Sequence, residues 1–138
     1  MKNIITTITI ATLLICSLPA CKKSSDTQVP QTILQKIQAK WQLQTYYEND
    51  HYSGADHIYN TAGTSSDYFD FRKDMKLYYS IQNNSDTATY NLSGDTNLLL
   101  AGSYLFDIRS LTPNEFIFHT KTTSGSSDFD ETTITLKK

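Results

Sequence analysis

The chain has 138 residues, with 12 Lys and Arg against 14 Asp and Glu, a formal net charge of −2 at pH 7. That balance leaves no basic footprint for nucleic acid, and the length admits one domain of ordinary size. Aromatic residues make up 12% of the chain, nine of them Tyr, and Thr and Ser are frequent, which suits strands better than helices.

Lys2 is the only charge before Cys21. Ile4, Ile5, Ile8, Ile10, Leu13, Leu14 and Ile15 then form an apolar run spaced by threonines. A positive start, a short apolar centre and a small residue at the end describe a secretory signal peptide. The run falls short of the roughly 18 residues that argue for a spanning helix. It closes with Leu18-Pro19-Ala20-Cys21, which resembles the lipobox of bacterial lipoproteins. The resemblance implies that Cys21 is acylated and becomes the mature N-terminus. Each buried methylene contributes about 0.8 kcal/mol, so one acyl chain holds marginally and several hold stably. The expected divisions are residues 1–20, a signal peptide; 21–29, a lipidated tether; and 30–138, the folded domain. Cys16 leaves with the signal peptide, so no disulfide is expected. Surface-exported lipoproteins of the Bacteroidota resemble one another in having acidic residues after the cysteine. Lys22 and Lys23 stand there instead, which implies the periplasmic face of the outer membrane.

Pro30 opens a helix candidate, because its missing N–H is unpaired in a first helical turn anyway. Ile33, Leu34, Ile37 and Trp41 recur at three and four residues, one helical face. The helix is expected to end near Ala39-Lys40. From Trp41 the period changes to two, with Trp41, Leu43, Thr45 and Tyr47 on one face and Gln42, Gln44 and Tyr46 on the other. Residues 48–66 read as a long polar loop with a brief strand at 57–59, and connections of that length are usually functional. Short strands are expected at 68–72, 76–82, 88–92, 97–101, 104–109, 116–121 and 129–136. Turn chemistry separates them at 72–75, 83–86, 93–95 and 112–115, and a Ser/Gly loop at 122–127.

Strands at intervals of roughly 8–12 residues indicate an all-β sandwich or barrel. Short turns favour consecutive antiparallel pairing, and closure removes the exposed edges. The expected fold is an all-β, antiparallel up-and-down barrel of about eight strands, with the short helix plugging one end. Trp41 after a helix, Phe69-x-Phe71 with its charged turn, Tyr90-x-Leu92, and Ile108-x-x-Leu111-Thr112-x-Asn114-x-Phe116 together resemble the lipocalin-like domains of Bacteroidota lipoproteins. Lipocalins carry Gly-x-Trp where this chain has Ala39-Lys40-Trp41, and Met75 stands where similar domains often have Gly. The resemblance covers about residues 33–137 and implies a shape more than an activity.

Asp50-His51 and Asp56-His57 offer metal-ligand residue types. A site needs three or four convergent ligands, and the spacing fits no metal motif, so a solvated loop is the simpler reading. No Gly-x-Ser-x-Gly elbow, phosphate loop or His-Glu-x-x-His occurs, so neither an enzyme nor a cofactor is expected. Asp67, Asp70 and Asp74 gather near one turn and read as hydrated hairpin surface rather than paired acid–base carboxylates. Trp41 is expected to pack on the preceding helix, with Arg72 or Arg109 as candidate cations over its ring. Asp86-Thr87-Ala88 resembles the O-glycosylation motif of Bacteroidota periplasmic proteins, which makes Thr87 a candidate modification site in an exposed turn.

The inward set comprises Phe69, Phe71, Tyr79, Tyr90, Tyr104, Phe106, Phe116 and Phe118. An eight-stranded barrel is just wide enough to be filled by side chains or to hold one small ligand. In a hollow barrel, Phe71, Tyr79, Tyr90, Tyr104, Phe106 and Phe118 line a pocket for a small amphipathic or apolar ligand. In a filled barrel, the domain is a structural or protein-interaction lipoprotein that meets a protein partner through residues 48–66. The membrane-anchored binding protein is the first of these two readings.

Overall fold

The computed structural model describes residues 31–125 and 127–138. The expected signal peptide, Cys21 and the expected tether lie outside the described residues. Helix α1 (Ile33–Ile37) is shorter than its periodicity suggests. Thr32 sets its start: the Thr32 hydroxyl accepts from the Gln35 N–H, and the Gln35 side chain accepts from the Thr32 N–H at 2.9 Å. This capping box satisfies two donors that the helix leaves unpaired. Ile37 and Trp41 are fully buried. The Trp41 indole donates to the Ile37 carbonyl at 2.9 Å, fastening the helix to the first strand.

Nine strands follow: β1 (Lys40–Tyr52), β2 (Ala55–Ala62), β3 (Tyr68–Phe71), β4 (Lys76–Ile81), β5 (Asn84–Ser93), β6 (Asn97–Leu100), β7 (Tyr104–Leu111), β8 (Glu115–Ser124) and β9 (Asp128–Lys137). From β3 to β9 each pairs antiparallel with the next, and β9 pairs back onto β1. One edge of β1 is shared, with β3 at residues 40–42 and β2 at residues 45–52. The closed ring therefore has eight strands, and β2 rides on the upper half of β1 as an arm. This antiparallel barrel with one short helix is consistent with a lipocalin-like all-β fold. The start of β1, the turns 72–75, 94–96 and 112–114, the end of β9 and α1 lie at one end, the base. The other end, the mouth, is bounded by the turns 82–83 and 101–103 and by the long β1–β2 and β8–β9 hairpins. Ile33, Leu34 and Ala39 pack on the core and close the base.

Most of residues 48–66 is a hairpin rather than a loop; only 63–66 stay irregular. The strand continues to Tyr52, turns at Ser53-Gly54, and returns as β2. Both turn residues have left-handed φ, 55° and 77°, the geometry of a two-residue hairpin turn. The turn expected at 83–86 sits earlier, at Gln82 and Asn83, with φ of 51° and 66°. Thr87 therefore lies exposed within strand β5, opposite Tyr78, rather than in a turn.

The β1 alternation also changes phase. Leu43 pairs with Leu136 and Thr45 with Thr135, so Gln44 is one residue extra. A bulge of this kind moves every later side chain to the other face. Thr45 and Tyr47 thus face away from the lumen, and Tyr46, Glu48 and Asp50 face into it. The loop 63–67 crosses the gap where β1 changes partner. Gly63 donates to the Gln44 carbonyl at 3.0 Å, and Leu43 donates to the Asp67 carbonyl at 3.0 Å. Any Cβ on Gly63 would collide with the Leu43 carbonyl.

Asp67 is not surface; it is fully buried. Its carboxylate accepts from the Thr64 N–H at 2.8 Å, the Thr64 hydroxyl at 2.7 Å and the Gln82 N–H at 2.7 Å. One side chain thereby ties the β2–β3 loop to the β4–β5 turn. Asp70 does face outward, paired with Arg72 at 2.8 Å. The cation over Trp41 is Lys138, at 4.2 Å from the ring centroid, while Arg72 lies over Tyr78.

The lumen of the lower barrel is filled. Phe69, Phe71, Tyr90, Phe106, Phe116 and Phe118 are buried with Trp41, Leu77, Leu98, Ile134 and Leu136. Most of their rings meet edge to face or tilted, Phe71 and Tyr90 at 5.2 Å, Phe106 and Phe118 at 5.3 Å, Phe116 and Phe118 at 4.9 Å, while Phe69 and Phe71 stack. Such pairs favour offset and edge-on contact because ring faces are negative and ring edges positive.

Candidate functional site

The inward side chains change character at one level of the barrel. On β1 they run Trp41, Leu43, then Tyr46, Glu48 and Asp50. On β9 the matching positions are Leu136, Ile134, Thr132 and Asp130, and on β8 they are Phe116, Phe118, Thr120 and Thr122. Below Tyr46 and Ile134 the lumen is hydrocarbon. Above them it carries hydroxyls and carboxylates.

Open space lies above that level. A cleft of about 670 Å³ separates the start of β7 from the β8–β9–β1 sheet, with Glu48, Asp50, Tyr104, Thr120, Lys121 and Asp130 among its walls and His119 at its edge. A second of about 430 Å³ is walled by Tyr46, Glu48, Tyr59, Tyr79, Ile81 and Asp86, with the β4–β5 turn at its edge. Glu48 borders both, so they are two sides of one mouth.

The Tyr46 hydroxyl donates to Glu48 Oε2 at 3.2 Å. Burial, and then the Glu48 charge, push this phenol up to about 12, so it stays a donor throughout the neutral range. Tyr79 is likewise pushed up by burial and then by Asp86, its cross-strand partner. Tyr59 meets Tyr46 edge to face at 6.0 Å. Asp50 and Asp130 are direct partners across β1 and β9, an arrangement of like charges that costs stability. Among the described residues neither these two nor Glu48 and Asp86 makes an ion pair.

The opposite face of the same strands satisfies itself. Arg109 donates to His119 Nδ1 at 2.9 Å, which leaves the His119 Nε2–H to donate to Glu131 at 2.9 Å. That hydrogen bond, ahead of Lys121 nearby, holds the Glu131 carboxyl below its usual range. His51 pairs with Asp56 across the hairpin at 2.7 Å and stacks on Phe129 at 5.1 Å. Asp50 and His57 face each other across the hairpin on the other side. The two Asp-His pairs of the sequence are thus split between faces.

Of the six side chains expected to line a ligand pocket, the fold brings two to the mouth. Tyr79 borders the smaller cleft, and Tyr104, expected to point inward, is 65% exposed at the rim of the larger one. Phe71, Tyr90, Phe106 and Phe118 are enclosed by one another below. The Tyr90 hydroxyl donates to the Arg72 carbonyl at the base. Tyr46, Glu48, Tyr59, Asp86 and Asp130 are the mouth residues that sequence reasoning did not assign to a ligand site. Alternate spacing of Tyr46, Glu48 and Asp50 was the available signal, and the bulge at Gln44 concealed it.

The fold and its mouth define the class by shape: a small closed barrel with a packed floor and a wet, tyrosine-flanked opening. No family model matches the chain, and no curated protein matches it.

Proposed function

We propose that this chain is a lipid-anchored, periplasm-facing protein of a bacterial envelope that binds a small amphipathic ligand at the barrel mouth. The observation that carries the reading is the change from packed rings to an open cleft with tyrosine faces on one side and, on the other, carboxylates that make no ion pair among the described residues, the nearby Lys121 being paired with Glu131. Ligand sites of this kind combine apolar walls with a few convergent polar groups. The apolar part of the ligand rests on Tyr59, Tyr79 and Ile81, and its hydroxyl or amine donors reach Glu48, Asp86 and Asp130. With the lower lumen filled, the ligand is amphipathic rather than wholly apolar. The reading is of a binder and not an enzyme, in keeping with a sequence that carries none of the nucleophile or phosphate-loop signatures. The anchor rests on Leu18-Pro19-Ala20-Cys21.

Native mass spectrometry of protein taken gently from its own host tests this. The wild type should carry a small-molecule increment that denaturation removes. Occupancy should fall at least tenfold when Tyr59→Ala and Glu48→Gln are combined. Bare protein, or an increment indifferent to both changes, contradicts the reading. A glycan on Thr87 would appear in the same spectrum as an increment that survives denaturation.

The ring-filled floor favours a second reading, an interaction lipoprotein working through the β1–β2 arm. Tyr52 and Ile58 on that arm are 51% and 60% exposed.

A further inference from the structure

The two ends of the barrel carry opposite unpaired charge. At the base, Lys36, Lys40, Lys73, Lys76, Lys137 and Lys138 are all exposed. Among the described residues none of them makes an ion pair, and Arg72 is the only base cation that does, with Asp70. Lys40 and Lys138 lie over the Tyr68 and Trp41 rings, which fixes their position and leaves their charge in place. The base carboxylates besides Asp70 are Asp74, Asp95 and Glu115. Asp74 accepts from the Lys76 N–H at 3.2 Å, and Glu115 accepts from the Ser110 hydroxyl at 3.1 Å. At the mouth the sign reverses, and Glu48, Asp50, Asp86, Asp128 and Asp130 have no cationic partner among the described residues.

The base is also where the chain arrives. Gln31 borders a small cleft of about 180 Å³ together with Lys36, Pro113 and Lys138. Gln31 stands ten positions after Cys21, a reach of at most about 35 Å for extended chain. An acyl group on Cys21 is therefore joined to the domain at its lysine-bearing end.

We infer that the base is a membrane-facing surface that rests on anionic phospholipid headgroups and turns the mouth toward the aqueous space. The inference deepens the anchored reading and relies on it for the position of the tether. The surface supplies what a single attachment point lacks, an orientation. A lysine close to an anionic leaflet raises partitioning roughly fivefold, and the attraction fades within about 10 Å at 0.1 M salt. The acidic mouth is repelled by the same leaflet.

The test uses the chain from residue 21 onward with Cys21→Ser, so that no acyl group is present. Sedimentation is measured with vesicles of phosphatidylethanolamine and phosphatidylglycerol, and with vesicles of phosphatidylcholine alone. Binding should favour the anionic vesicles at least tenfold and vanish as salt rises to about 0.5 M, where screening is strong. Lys36→Gln, Lys137→Gln and Lys138→Gln together should cut it at least tenfold without moving the melting temperature. Asp50→Asn with Asp130→Asn raises the net charge at the wrong end and should change binding less than twofold. No preference for anionic vesicles, or binding that survives the lysine changes, overturns the inference. The anchor is read separately, by labelled palmitate on the wild type and its absence from Cys21→Ser, so that the two can fail independently.

Discussion

Replacing Phe118 with alanine should lower the stability of the domain by about 3–5 kcal/mol, the cost of deleting a fully enclosed ring. Phe118 is 0% exposed. Its ring centroid lies 6.1 Å from Phe69, 6.4 Å from Phe71, 5.3 Å from Phe106 and 4.9 Å from Phe116, on two other strands and its own. Truncation removes both the transfer energy of the ring and contacts that rigid neighbouring strands cannot rebuild. Domains of this size have only about 5–15 kcal/mol in total, so the melting temperature should fall by about 15 °C. Tyr104→Ala, at the exposed rim, should stay within about 0.5 kcal/mol. Urea unfolding of both variants checks the pair. A loss below about 1 kcal/mol for Phe118→Ala would mean that the lumen has slack, since Phe→Ala in a packed core costs several times more.

Asp67→Asn should cost about 2–4 kcal/mol, because a buried carboxylate with three donors becomes an amide that turns an N–H₂ toward one of them. The variant also separates charge from shape through pH. The Thr64 backbone N–H, then the Thr64 hydroxyl, hold the Asp67 carboxyl below its usual range despite its burial. The folded state therefore binds this proton less readily than the unfolded state does. The stabilisation is complete above the unfolded value near 4 and is lost as pH falls through the lower folded value. Wild-type protein should lose stability on acidification below about pH 4, and Asp67→Asn should lack that share of the loss. Equilibrium unfolding at pH 7, 5, 4 and 3 reads the difference. Parallel curves for the two proteins would assign the acid loss to other carboxylates.

The barrel was legible where one face of a strand is dry. Phe69 and Phe71, Leu77 and Tyr79, Phe116 and Phe118, and Ile134 and Leu136 keep a clean period of two because each strand has the core on one side and water on the other. The β1–β2 arm was not legible, because β2 lies outside the ring and is exposed along almost its whole length. Its polar residues then look like loop, and only Ser53-Gly54 marks the hairpin. The mouth was hidden for a related reason. A one-residue bulge at Gln44 reversed the facing of β1, and no side-chain pattern announces a bulge in advance. Asp67 read as surface because a carboxylate near turns usually is; its burial depends on the Gln82 N–H, fifteen residues away along the chain.

Backbone amide NMR of ligand-loaded and stripped protein bears most directly on where binding happens. Stripping is done by unfolding and refolding protein isolated from its host. Shifts should concentrate at Tyr46, Glu48, Tyr59, Tyr79, Asp86 and Asp130, with Phe71, Tyr90, Phe106 and Phe118 unmoved. Changes centred on those four buried rings would place the ligand inside the barrel and contradict a packed floor beneath an open mouth.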